Sequence, residues 1–321
     1  MARRLGDPDG RWIVPPGRAI ELPGRGTTFV REISGPRRAP TVVLLHGLAA
    51  TGGLNWFAAF GPLGRQFRVV ALDHRGHGRG LRTPDPFSLD ACAVDVVAVA
   101  DHLAIDTFIP VGYSMGGPIA QLVWHRHPGR VDGLVLCATS RDFRGRWHER
   151  VQFAGLGLVM SGLRLAPLPA VERIAEQIPE ELVDTASRRW GFDELRRHDV
   201  RTMLEAAEAV GRFSSREWIG GIDVPVSVVV TSQDRLVPPR RQVKLADAIP
   251  SAVIHVVDGT HLAAGTAPDV FAATLVDACR LVARRAAKRP PARAGRRTTV
   301  TARLDRWMSV ARGRRRARRS A

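Results

Sequence analysis

The feature that most constrains the fold is a series of short apolar segments, rich in β-branched residues, that alternate with helical patterns. The segments are residues 41–45, 69–72, 108–111, 134–137, 226–230 and 253–257. A strand with one solvated face shows a polar residue at every second position, and these segments do not. Nearly continuous apolarity is typical of strands buried on both faces, as in a parallel sheet between two layers of helices.

Helical patterns occupy the intervals between several of these segments. Ser88 is a good N-cap for a helix to about Leu103, because Leu89, Ala93 and Val96 recur at helical spacing. Two further helices are predicted at about residues 115–127 and 268–287. Strands that alternate with helices imply right-handed crossovers, so the sequence predicts an α/β protein with a doubly wound, mostly parallel sheet.

The strand pattern stops between Ser140 and Ile222. This interval reads as helices at about 151–165, 171–189 and 198–210, and it predicts a helical cap inserted at about residues 141–221. Its apolar residues either pack against the sheet domain or roof an apolar substrate pocket; they are Leu156, Leu158, Val159, Met160, Leu163 and Leu165.

Residues 112–117, Gly-Tyr-Ser-Met-Gly-Gly, contain the pattern Gly-x-Ser-x-Gly between a predicted strand and a predicted helix. On such a sharp turn the hydroxyl of Ser114 points outward, and the flanking glycines avoid collisions with neighbouring backbone. The following helix directs its N-terminal amides towards a developing anion. Ser114 is therefore the candidate nucleophile. Pro110 lies in the preceding strand and lacks a backbone donor, so pairing starts later or that position has no partner.

A serine hydroxyl needs a general base, and His261 is the best placed of the ten histidines. It follows the segment 253–257 and precedes the last helix, so it emerges at the carboxyl edge of the sheet, as Ser114 does. His255 lies within the strand and is expected to be buried there. His148 and His198 belong to the predicted cap.

The base in turn needs an orienting carboxylate, and Asp234 directly follows the segment 226–230. The order Ser114, Asp234, His261 is the order expected for a nucleophile on a strand-to-helix turn of this kind. Asp142, just after the segment 134–137, is the competing acid.

Two main-chain amides are candidates for an oxyanion hole. His46-Gly47-Leu48 follows the segment 41–45, and the N–H of Leu48 can join that of Met115 around a negatively charged oxygen. His46 itself is interpreted as a structural, hydrogen-bonded histidine.

These residues resemble the α/β-hydrolase superfamily, in its serine esterase and lipase-like branch. The landmarks are Leu-Leu-His-Gly at 44–47, Asp-His-Arg-Gly-His-Gly at 73–78 and the motif at 112–117, with Asp234 and His261 following. The similarity covers roughly residues 20–283. In such families the 73–76 segment shapes a loop near the site. The serine excludes relatives that use aspartate as the nucleophile, the haloalkane dehalogenases and epoxide hydrolases.

The resemblance implies a serine hydrolase that cleaves a carboxylic ester of apolar character, with neither an organic cofactor nor a metal. The same triad also serves cofactor-free haloperoxidases, perhydrolases, carbon–carbon bond hydrolases and thioesterases, which the motif does not separate. The three cysteines are scattered and suggest no disulfide framework; they are Cys92, Cys137 and Cys279. With no apolar run of spanning length and no secretory signal, we expect a cytoplasmic protein.

The net charge of +17 is concentrated at the C-terminus. Residues 284–321 hold fourteen arginines and Lys288 against Asp305, whereas residues 1–283 are nearly neutral. We therefore divide the chain into a hydrolase domain at 1–283 and an Arg-rich, disordered tail at 284–321. An anionic membrane surface is the partner that such a tail suggests. A non-enzymatic, nucleic-acid-binding scaffold is the less favoured alternative, because the tail has no nucleic-acid-binding signature.

Overall fold

A computed structural model describes residues 3–5, 12–143 and 185–289. Its main sheet has eight strands in the order β10-β9-β8-β7-β5-β6-β4-β3, and β1 and β2 pair separately. The strands are β1 (Arg3–Leu5), β2 (Trp12–Val14), β3 (Gly17–Leu22), β4 (Gly26–Ile33), β5 (Thr41–Leu45), β6 (Arg68–Leu72), β7 (Ile109–Tyr113), β8 (Leu134–Cys137), β9 (Val226–Thr231) and β10 (Ala252–Val257).

The sheet is parallel from β6 to β10 and antiparallel at its other end. Strands β5 to β10 pair in parallel, and β4 runs antiparallel to both β6 and β3. All six predicted strands are present within about two residues of their predicted bounds. The prediction of an α/β fold with a mostly parallel sheet is therefore confirmed.

The helices of the described residues are α1 (Gly52–Trp56), α2 (Phe60–Gly64), α3 (Leu89–His102), α4 (Gly116–Arg126), α5 (Thr185–Leu195), α6 (Val200–Arg212), α7 (Pro239–Asp247), α8 (Ala263–Thr266) and α9 (Pro268–Ala287). Ser88 caps α3 as predicted, since its hydroxyl accepts a hydrogen bond from Ala91 N at 3.3 Å. Two apolar clusters flank the sheet. One contains Val96 and Ile119 from α3 and α4, and the other contains Leu275 from α9.

The insertion between β8 and β9 is described only in its second part. Helix α6 corresponds to the predicted helix at 198–210, and Asp199 caps it by accepting from Thr202 N at 2.8 Å. Helix α5 overlaps the end of the predicted helix at 171–189 and continues to Leu195. The predicted helix at 151–165 lies outside the described residues, as does the tail from residue 290 onwards.

Strand β10 departs from its prediction. It is the edge strand of the sheet, with β9 as its neighbour among the described residues. Ile254 is 40% exposed, Val256 is 62% exposed and His255 is only half-buried, so the strand is not covered on both faces. The apolar pattern identified the strand correctly, but a strand at the end of a sheet has fewer neighbours to cover it.

Pro110 has no backbone N–H to donate, and it lies before the residues of β7 that pair with β8. Backbone groups alternate in direction along a strand, and both Phe108 N and Ser114 N bond on the β8 side. The nitrogen of Pro110 faces the same side, and pairing with β8 starts at Val111.

No described helix is long and apolar enough to cross a bilayer.

Candidate active site

Ser114 occupies a strained turn between β7 and α4. Its φ of 50° lies in the left-handed region that non-glycine residues rarely adopt. The turn is held on both sides, because Ser114 N donates to Cys137 O at 3.0 Å and Ser114 O accepts from Thr139 Oγ1 at 2.8 Å. These bonds tie the turn to β8 and to the residues that follow it.

The glycines around Ser114 are required by close backbone approaches. A Cβ on Gly112 would lie 2.2 Å from the carbonyl oxygen of Gly116, and a Cβ on Gly116 would lie 2.0 Å from that of Leu45. Both distances are far inside van der Waals contact with rigid backbone. The motif therefore reflects the clearance that the turn needs, as the sequence predicted.

The structure brings the three predicted residues into one hydrogen-bonded relay. His261 Nε2 lies 2.9 Å from Ser114 Oγ, and His261 Nδ1 lies 2.7 Å from Asp234 Oδ2. Ser114 and Asp234 are buried, and the side chain of His261 is 12% exposed. With Nδ1 donating to the carboxylate, Nε2 is left to accept the serine proton.

The carboxylate of Asp234 is fixed by donors other than the imidazole. Its Oδ1 accepts from Leu236 N at 2.9 Å and Val237 N at 2.8 Å. Its Oδ2 accepts from Thr231 Oγ1 at 2.8 Å and Gln242 Nε2 at 3.2 Å. The orientation of the carboxylate towards His261 is therefore set by the loop after β9 and by α7.

The competing acid, Asp142, is engaged elsewhere. Its carboxylate forms an ion pair with Arg216, and its backbone bridges to Ser214. The geometry thus favours Asp234 as the residue that orients His261.

Tyr113, the only tyrosine of the chain, fixes the loop that carries His261. Its hydroxyl donates to the carbonyl of His261 at 2.7 Å, and its ring contacts the imidazole edge-on at 5.9 Å. Burial raises the pKa of the Tyr113 hydroxyl well above its ordinary value, which keeps it a neutral donor. Tyr113 was not among the predicted site residues, although its position next to Ser114 was a signal.

The loop after β5 lies against the serine. The Cβ of Ser114 is 3.3 Å from where a Cβ on Gly47 would lie, and Gly47 N donates to Asn55 Oδ1 at 2.9 Å. Neither Leu48 N nor Met115 N has a hydrogen-bond acceptor within the described part of the chain. Asn55, which sequence reasoning missed, positions this loop from α1 and carries no recognisable motif.

Four buried histidines lie close together at the loop after β5, with their rings tilted or edge-on to one another. His46 lies 4.4 Å from His74 and 5.1 Å from His77 by ring centroids, and His77 lies 5.4 Å from His198. Burial lowers the pKa of His74 to about 3, and burial lowers those of His46 and His77 well below their ordinary values. His46, His74 and His77 are therefore neutral at pH 7.

His46 is structural, in agreement with its interpretation from the sequence. Its Nδ1 lies 2.7 Å from Gly47 O, and its Nε2 accepts from His74 N at 2.9 Å. The ring thus ties the 73–78 segment to the loop beside Ser114. Among the residues described, no group of three or more His, Cys, Asp or Glu side chains has the geometry to hold a metal ion.

The 73–78 segment is anchored by two carboxylates. Asp73 accepts from Gly52 N at 2.8 Å and Arg79 N at 2.9 Å, and burial raises its pKa to about 6 despite these bonds. Arg75 forms a bidentate pair with Asp95 on α3 at 2.8 and 3.0 Å. This segment shapes the loop and makes no recorded contact with the relay.

A family model described as the alpha/beta hydrolase fold matches residues 40–268. The chain therefore belongs to the α/β-hydrolase family and is a hydrolase by family.

Individual relatives have several activities. The chain is 29% identical over 244 residues, 73% of its length and 90% of the other's, to a protein of Agrobacterium fabrum named provisionally as the carbamate hydrolase RutD. It is 30% identical over 229 residues to a pimeloyl-[acyl-carrier protein] methyl ester esterase of Chromobacterium violaceum, covering 68% of this chain and 85% of that one. A solved enol-lactonase of Burkholderia xenovorans superposes with a TM-score of 0.66 at 25% identity, covering 82% of this chain and 100% of that one.

Proposed function

We propose that this protein is a serine hydrolase that cleaves a carboxylic ester of apolar character through an acyl-enzyme. The single observation that carries the proposal is the relay from Ser114 through His261 to Asp234, with contacts of 2.9 and 2.7 Å. Two of the similar proteins, named as a methyl ester esterase and an enol-lactonase, act on ester bonds according to their names.

In this mechanism Ser114 Oγ attacks the carbonyl carbon of the ester while His261 Nε2 takes the hydroxyl proton. The amides of Leu48 and Met115 stabilise the oxyanion of the tetrahedral intermediate, and Asp234 stabilises the imidazolium. When the intermediate collapses, the carbon–oxygen bond to the alcohol breaks and His261 gives its proton to the departing oxygen. Water then attacks the acyl carbon with the same proton transfers, which releases the acid and restores Ser114.

Labelling with a fluorophosphonate, followed by peptide mapping, tests the nucleophile. We expect a single adduct on Ser114 and turnover of short p-nitrophenyl esters. The variant Ser114→Ala should lose both, with a fall in kcat of about 10⁴-fold or more. A fully active Ser114→Ala protein would falsify the proposal.

Carbamate hydrolysis is a second candidate, and the similarity to the Agrobacterium protein favours it. The same relay would attack a carbamate carbonyl, with nitrogen or oxygen as the leaving atom. Parallel assays with an aryl ester and the matching aryl carbamate discriminate the two. A kcat/KM for the carbamate that exceeds the ester value would replace the first proposal with this one.

A further inference from the structure

Helix α5, in the insertion between β8 and β9, packs against α1, the short helix that follows the loop after β5. A Cβ on Gly53 of α1 would lie 3.1 Å from Cζ2 of Trp190 on α5. A Cβ on Gly191 of α5 would lie 3.8 Å from Cδ2 of Leu54 on α1. Helix α1 has only five residues, too few to be stable by itself in water, so its position depends on the elements that pack against it.

Glu194, on the same helix α5, bonds to the residue that starts α1. Its carboxylate is 1% exposed, and its Oε2 accepts from Thr51 Oγ1 at 3.2 Å. Thr51 is the N-cap of α1, because its Oγ1 also accepts from Leu54 N at 3.1 Å. A buried carboxylate is costly unless it is paired, and Arg79 supplies an ion pair to Glu194 at 3.0 Å. The insertion therefore places a buried, paired charge where it meets the start of α1.

Helix α1 in turn holds the loop that carries one amide of the predicted oxyanion hole. Asn55 N donates to Thr51 O at 3.0 Å within the helix, and Asn55 Oδ1 accepts from Gly47 N at 2.9 Å. Gly47 directly precedes Leu48, whose N–H is the predicted donor. The loop is strained, because Ala49 has a φ of 56°, and a strained loop keeps its shape only while its surroundings hold it.

We propose that Glu194 is a positioning residue for the oxyanion hole: it fixes Thr51 and α1, and so the loop that presents Leu48 N to the substrate oxygen. This inference rests on the proposed function, because the oxyanion hole belongs to that mechanism. Hydrogen bonds form a connected path from the insertion to the loop beside Ser114, from Glu194 through Thr51 and α1 to Gly47. The insertion thus contributes to the chemical step through one of its helices, and not only to substrate binding.

Steady-state kinetics on an ester that the wild type hydrolyses test the proposal, with the active protein counted by fluorophosphonate titration. Glu194→Ala should lower kcat about 10- to 100-fold and leave KM within a few-fold, because a displaced donor weakens transition-state binding more than substrate binding. Glu194→Gln keeps an acceptor for the Thr51 hydroxyl and should recover most of kcat. A raised KM at unchanged kcat in Glu194→Ala, or equal losses of kcat in both variants, overturns the proposal.

The matched control is Glu205→Ala. Glu205 lies on α6 of the same insertion and anchors it to the loop before α3, where Phe87 N donates to Glu205 Oε2 at 2.8 Å. This variant removes a comparable bond between the insertion and the sheet domain, and it should leave kcat within a few-fold of wild type. A fall in kcat as large as that of Glu194→Ala would mean that any loosening of the insertion slows the reaction, which contradicts the specific role of Glu194.

Binding of phenylboronic acid connects the effect to the oxyanion hole. Ser114 Oγ adds to boron while the hydroxyl proton passes to His261, so the bound form is a tetrahedral anion that mimics the intermediate. In Glu194→Ala the Kd of this adduct should rise by about the factor by which kcat falls, because both report binding of the tetrahedral anion. An unchanged Kd beside a lowered kcat would refute a role in the oxyanion hole.

A double-mutant cycle tests the route through Thr51. Thr51→Val combined with Glu194→Ala should lose no more kcat than Thr51→Val alone, because both changes break the same path, and additive losses would exclude that path. An active wild type whose kcat is unaffected by Glu194→Ala refutes this inference alone. A wild type with neither turnover nor an adduct on Ser114 refutes the proposed function, and this inference with it.

Discussion

Strands β7 and β10 carry the same kind of apolar sequence and lead to two members of the relay, Ser114 and His261, yet they lie in different surroundings. Strand β7 pairs with β5 on one side and β8 on the other, and each of its residues is buried. Strand β10 pairs with β9, and two of its apolar side chains are exposed. Apolarity thus identifies a strand, whereas the position of the strand in the sheet decides how much of it is covered.

The largest expected effect concerns Asp234, on the loop after β9, which fixes the imidazole that β10 leads to. Asp234→Asn should lower kcat/KM for an ester substrate by about 10⁴-fold, because the imidazole loses its orientation and its counter-charge. Asp142→Asn is the control and should stay within a few-fold of wild type. Comparable losses in both variants would contradict the assignment of Asp234.

On the β7 side, Gly112 near the end of the strand should not tolerate a larger residue. Gly112→Ala should lower the free energy of unfolding by about 3 kcal/mol or more, since the new Cβ meets the backbone of Gly116. Gly61→Ala, in open space on α2, should change it by at most about 1 kcal/mol. Urea denaturation measures both, and a mild effect at Gly112 would show that the turn relaxes.

The same substitution in the two strands tests the comparison directly. Ile109→Ala should cost about 3 kcal/mol of unfolding free energy, because it leaves a cavity where Ile109 is 1% exposed. Ile254→Ala should cost under about 1 kcal/mol, because Ile254 is 40% exposed. Equal costs would mean that β10 is as well covered as β7.

The smallest effect at pH 7 is expected for histidines, and it grows in acid. Burial lowers the pKa of His74 to about 3 in the folded chain, so below about pH 6.5 the unfolded chain binds a proton on His74 that the folded chain does not bind. The free energy of unfolding, as far as His74 determines it, is therefore highest above pH 6.5 and declines as the pH falls towards 3.

His74→Leu should flatten this decline, because both ring nitrogens of His74 are without a hydrogen-bond partner. His255→Leu, on the half-buried edge strand, should flatten it less. The measurement is the unfolding free energy in urea at several pH values between 4 and 7, and equal slopes for wild type and His74→Leu would refute the explanation.

Much of this molecule was predictable from local sequence, and the failures have physical causes. The six parallel strands, Ser114 and its glycines follow from patterns of a few residues. The β3–β4 hairpin was missed because Arg18, Glu21 and Arg31 break its apolar pattern. Asn55 and Tyr113 were missed as site residues because their contacts join distant parts of the chain.

The sequence preferred Asp234 but left Asp142 as a competitor, and the observation that favours Asp234 comes from the three-dimensional structure. Both acids directly follow strands that end at the same edge of the sheet, so sequence position does not separate them. The ion pair of Asp142 with Arg216 forms between residues far apart in sequence, which no local pattern reveals.

The tight turn at Ser114 has a consequence for how such proteins diverge. In the proposed mechanism the groups offered to the negatively charged oxygen belong to the peptide chain, so mutation of the side chains at Leu48 and Met115 does not remove them. Selection is then expected to fall on the small residues that let neighbouring peptide units approach one another. Lineages descended from a common ancestor are free to change the contents of the binding cleft, and so their substrates, while the reactive apparatus is inherited intact.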